Sequence, residues 1–147
     1  LRWNGTEFPE GIRVELVVSV QTELLDSHPT LAVSTSLHPQ GSWIMKGSET
    51  FAAVPPVRDE NAFLFELNEA CSLAQFVHPS DFIDSEFQVD SSGNGLLVHH
   101  IFCHPLEKGV IRRARMCLLF LRATSDQRQI ISDAFESFEH SDPPLTA

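Results

Sequence analysis

The chain has no tyrosine in its 147 residues, so no phenol can serve as acid, base or phosphate acceptor. It has no CxxC pair, and its three cysteines, Cys71, Cys103 and Cys117, are an odd number that does not make a disulfide framework. Thiols in that pattern point to a reducing, cytoplasmic setting. One disulfide plus one free thiol is the alternative. No apolar run approaches the roughly 18 residues of a membrane span. The longest, Met116-Cys117-Leu118-Leu119-Phe120-Leu121, suits a core strand. A G-x-S-x-G elbow, a glycine-rich phosphate loop and an H-E-x-x-H helix are all missing, which removes the commonest signatures of nucleophilic, nucleotide and metalloprotease chemistry. No initiator methionine is present, which suggests a processed or excised chain. Asn4-Gly5-Thr6 has the form of an N-glycosylation sequon.

Positive charge is scarce. Ten Lys and Arg face twenty Asp and Glu, a net charge of −10. A chain so acidic lacks the positive footprint that nucleic acid or an anionic membrane requires of a main partner. The charge is also uneven. Residues 59 to 107 hold nine acids and no Lys or Arg, whereas six of the ten cations (Lys108, Arg112, Arg113, Arg115, Arg122 and Arg128) fall between 108 and 128.

What is present is alternation. Val14, Leu16, Val18 and Val20 alternate with more polar positions over 12–21, and Leu31, Val33, Thr35 and Leu37 do so over 31–37. Both patterns predict half-buried strands. Further strands are expected at 43–45, 49–54, 62–67, 87–90, 96–103 and 110–122. Asn94-Gly95 marks one hairpin turn and Leu106-Glu107-Lys108-Gly109 a second, the latter joining the strands before and after it. Residues 1–11 read as an arm leading into the domain. Asn68 reads as the cap of a short helix through Ala70, Leu73, Ala74 and Val77. Thr124 and Gln127 fit a capping box. Ile130, Ile131, Ala134, Phe135 and Phe138 then recur at helical spacing, so 124–139 is the C-terminal helix and 140–147 a tail. The expected architecture is one mainly β domain, an antiparallel sandwich or barrel of seven or eight strands with one C-terminal amphipathic helix.

Candidate chemistry lies near the second turn. His99, His100, Cys103 and His104 are zinc-ligand types, but on a strand His99 and Cys103 share one face and His100 and His104 the other. The four residues between same-face members span roughly 13 Å, so one ion would need a bulge or ligands from other strands such as Cys117 or Cys71. Pairing across the second turn puts His100 on the core face with Ala114 and Met116, and His99 opposite with Arg113 and Arg115. His99, Lys108, Arg112, Arg113 and Arg115 form a candidate anion-binding or docking stripe, since arginine suits bidentate contact with carboxylate or phosphate. Asp81, Asp84, Glu86 and Asp90 with Asn94 are a candidate calcium loop. With no catalytic constellation present, the first functional expectation is a non-catalytic binding, accessory or assembly module acting through a sheet face or edge, on a protein partner or on itself. A carrier of a small apolar ligand, lined by Phe63, Phe65, Phe87, Phe102 and Phe120, is the second. A His/Cys enzyme, with or without zinc, is the third.

Overall fold

The structure, a computed structural model, describes residues 1–46, 50–53, 60–102 and 105–142. In chain order the strands are β1 Arg2–Phe8, β2 Gly11–Gln21, β3 Asp26–Ser27, β4 Leu31–Leu37, β5 Gly41–Lys46, β6 Thr50–Ala53, β7 Ala62–Asn68, β8 Cys71–Val77, β9 Phe82–Val89, β10 Gly95–Ile101, β11 Leu106–Glu107 and β12 Ile111–Arg122. One helix, α1, covers Gln127–Glu139. Seven strands form an open sheet in the order β1-β2-β12-β8-β7-β5-β6. A smaller sheet runs β4-β10-β9, and β11 pairs with β3. The pairings are antiparallel, as the alternating sequence pattern requires.

The large sheet is the middle layer. Alternate residues of β12 serve opposite faces. Ala114 and Met116 pack with Leu16, Val18, Val77, Ile101 and Phe102 against the small sheet. Cys117, Leu119 and Leu121 pack with Ile131, Phe135 and Phe138 of α1 on the other side. A third cluster, Ile44, Phe63, Phe65, Phe87 and Leu97, joins the two sheets further along. Burial of these side chains, each contributing about 1.5–3 kcal/mol, holds the layers together.

Several elements differ from what the sequence predicts. Residues 1–11 are not a loose arm: Arg2–Phe8 is a full edge strand, joined to β2 by a turn at Pro9-Glu10. The helix expected from Asn68 is a hairpin between β7 and β8, closed by the Ala70 N–H donating to Asn68 Oδ1 at 2.9 Å. β8 is buried on both faces, so it shows no two-residue alternation, and a short run buried on both sides is ambiguous between helix and strand. The helix begins at Gln127 with Asp126 rather than Thr124 at its N-cap and no side-chain cap, so the capping box does not form. The first turn is where expected. Asp90 Oδ1 accepts the Ser92 and Asn94 N–H groups, and Gly93 takes φ +83° between β9 and β10.

The second turn carries the largest correction. The chain does turn at Lys108-Gly109, with the Val110 N–H donating to the Glu107 carbonyl at 3.1 Å. The strands around it do not form one hairpin. β10 lies in the small sheet between β4 and β9, and β12 lies in the large sheet between β2 and β8. Phe102, with φ 63°, ends β10 as the chain leaves the small sheet. Such a conformation costs a bulky residue of order 1–3 kcal/mol, and its buried side chain in the core offsets that. With the pairing changed, the faces of β10 exchange: His99 points inward and His100 outward.

Candidate functional site

The basic stripe divides along β12. Arg115 is buried and points to the α1 side of the sheet. Its Nε lies 3.3 Å from Asp81 Oδ2, and its backbone N–H donates to the same oxygen at 3.0 Å. One guanidinium nitrogen donates to the Ser141 carbonyl at 2.8 Å, just beyond the helix C-terminus. His78 completes this cluster: Nδ1 accepts the Ser80 N–H at 3.2 Å, which leaves the Nε2 proton to donate to the Glu139 carbonyl at 3.0 Å. Burial, and then the Arg115 guanidinium, hold the His78 pKa below its usual 6.5. Two side chains thus satisfy carbonyls left over at a helix end. Arg115 is a helix clamp, and its donors face partners within the chain. Lys108, in the turn before β12, and Arg112 are exposed, and Arg113, two residues before Arg115 on the same strand, is half-buried.

His99 lies in the sandwich interior, wholly buried, its ring edge-on to Phe63 with centroids 5.6 Å apart. Neither ring nitrogen has a hydrogen-bond partner. Burial, with a smaller contribution from neighbouring His100, drops its pKa to about 3, so it is neutral. His100 faces outward near Asp84, at 3.9 Å. Cys103 and His104 lie outside the described residues, and His99 and His100 point to opposite sides of the small sheet. The acids expected to form a calcium loop are spread apart. Asp81 holds Arg115, Asp84 neighbours His100, and Asp90 binds its own turn, accepting from Asn94 Nδ2 at 2.9 Å. Among the described residues no group of three or more His, Cys, Asp or Glu is placed to hold a metal ion. Cys71 and Cys117 are free thiols, and burial raises the Cys117 pKa to about 12.

The five phenylalanines of the carrier expectation do not share one interior. Phe63, Phe65 and Phe87 pack on one another, with centroids 5.2–6.4 Å apart. Phe102 belongs to the neighbouring cluster, and Phe120 is partly exposed.

One feature that sequence reasoning missed stands at the β1 margin of the large sheet. β1 is exposed along nearly its whole length and, among the described residues, pairs with β2 alone, which leaves its outer edge open there. The small sheet does not cover the neighbouring corner. Cross-strand register places Trp3 beside Leu16, Gly5 beside Val14 and Leu118, and Ile12 beside Phe120, all on the face turned toward the small sheet. Trp3 is 56% exposed, Ile12 43% and Phe120 38%. A Cβ built on Gly5 would meet nothing within 4 Å. The signal was a tryptophan two residues before a glycine in a segment rich in turn formers, which hid its strand character. No protein-family model matches the chain, and no curated protein matches it.

Proposed function

We propose that this chain is a non-catalytic assembly module that pairs with a second copy of itself along the β1 edge. The carrying observation is the juxtaposition of a knob and a gap on that edge. Trp3 projects and Gly5 leaves open space, two residues apart on the same face. Antiparallel pairing about a twofold axis at Asn4 sets each Trp3 opposite the Gly5 of the other copy. The indole then covers the partner's Gly5 and reaches toward Val14, which is next in the same cross-strand row. Open edges with exposed apolar faces are templates for strand addition unless charge, proline or a bulge blocks them. Within β1 only Arg2 and Glu7 are charged, and none of its residues is proline. Cross-strand pairs contribute roughly 0.2–1 kcal/mol each, and burial of two indoles adds more.

Sedimentation equilibrium over a wide concentration range tests the reading. The wild type should dimerise and melt at a temperature that rises with concentration, while Trp3→Lys and Gly5→Val should both remain monomeric and still melt cooperatively, at a temperature independent of concentration. A wild type that stays monomeric throughout, or a dimer indifferent to both substitutions, rejects it.

A further inference from the structure

Two loops meet at the end of the large sheet where β2 stops and β12 begins. The Gly109 N–H donates to the Thr22 carbonyl at 3.0 Å, β11 pairs with β3, and Ile111 lies opposite Gln21. These contacts fix the 22–25 and 108–111 segments side by side. Each carries an adjacent aliphatic pair in solvent: Leu24 (65% exposed) and Leu25 (84%), and Val110 (42%) and Ile111 (50%). Lys108, Arg112 and Arg113 stand around them, with Glu23, Asp26 and Glu107. Three cations and three acids cancel, so this tip is neutral while the chain as a whole carries −10.

We propose that this tip is a contact site for a zwitterionic lipid surface. Four unsupported aliphatic side chains on a projecting pair of loops match the interfacial layer of a bilayer, which accepts leucine, isoleucine and valine readily. The exposed apolar side chains of the tip are leucine, isoleucine and valine, and leucine and valine are under-represented among the anchors of protein interfaces. The long stems of Lys108, Arg112 and Arg113 allow their charges to reach lipid phosphates while the aliphatic groups sit deeper. Charge selects the surface. A neutral tip meets balanced headgroups without penalty, whereas the acidic body behind it is repelled by an anionic leaflet. The site is separate from the β1 edge and does not depend on the dimer.

Co-sedimentation of the full chain with phosphatidylcholine vesicles, and with vesicles containing phosphatidylserine, reads the proposal directly. Binding to phosphatidylcholine is expected, falling at least several-fold as phosphatidylserine is added and lost in the Leu24→Ser/Leu25→Ser double variant. Those leucines are exposed, so thermal melting should confirm an intact fold, and Ile111→Ser is the second variant. Absence of binding to phosphatidylcholine, binding that rises with phosphatidylserine, or binding that survives both variants overturns it. So does loss of self-association in the leucine variant, which would assign the tip to a protein contact.

Discussion

The two faces of the large sheet bury polar groups in opposite ways. On the α1 side, Arg115 is buried among partners, with a carboxylate, a helix-end carbonyl and the His78 turn around it. On the small-sheet side, His99 is buried with neither nitrogen bonded, and Gln75 uses Oε1 to accept from Thr35 at 2.9 Å while its Nε2 finds no partner. A permanent cation survives burial only when paired. An imidazole can shed its charge instead, and His99 does so. Around Arg115 the α1 face is therefore held by its polar groups, although Arg13 Nε on that face is buried without a partner, whereas the small-sheet face holds despite His99 and Gln75.

The largest expected effect breaks the satisfied side. Arg115→Ala leaves the part-buried Asp81 carboxylate with only the residue-115 N–H and the Ser80 hydroxyl and frees the Ser141 carbonyl, and should cost about 3 kcal/mol in urea unfolding at neutral pH. A loss below 1 kcal/mol would show that α1 is held by Ile131, Phe135 and Phe138 alone. On the unsatisfied side, His99→Leu should raise neutral stability by about 1–3 kcal/mol, because it removes two orphaned nitrogens. A loss of stability would mean that His99 has a polar partner.

Acid sharpens the contrast. The unfolded chain protonates His99 near pH 6.5, but the native state resists until about pH 3. Between those values the unfolded state binds one more proton, so stability falls with pH at about 1.4 kcal/mol per unit, with no effect from His99 above pH 6.5. His78, also lowered, adds a loss of the same sign. Urea titrations across pH 4–7 should give a shallower slope for His99→Leu than for wild type, and His78→Asn should lower the slope further. Equal slopes in wild type and His99→Leu would contradict a buried neutral ring. The smallest effect is chemical: Cys117, with its pKa near 12, should stay unmodified by a thiol reagent that labels the half-buried Cys71. Comparable labelling of both in the native state would contradict a closed α1 face.

Much of the strand content was legible because alternation is a local signal. β2, β4 and β12 appear within a residue or so of their expected bounds, and α1 begins three residues late. β8 was illegible because both of its faces are covered, and β1 because Asn4, Gly5 and Pro9 advertise turns. Of the site residues, Lys108 and Arg112 are exposed and Arg113 half-buried, but nothing local distinguishes them from Arg115. Only the position of Asp81 and the helix end draws that one arginine inward. The aliphatic tip was hidden because Leu24-Leu25 and Val110-Ile111 lie 86 positions apart in sequence, and each pair alone is unremarkable on a surface.

By itself the sequence determined the class: antiparallel strands, a C-terminal helix with one apolar face, and an acidic middle followed by a basic strand. These follow from periodicity and composition, which depend on neighbours a few residues away. Tertiary structure alone decided which sheet each strand joins, and so which of His99 and His100 is buried. Two phases of the same alternation look alike along the chain, and a shift of one residue exchanges every face. Only the long-range requirement that Phe63, Leu97 and Ile101 leave water settles the choice. The open β1 edge has the same origin, because an edge is a property of the completed sheet.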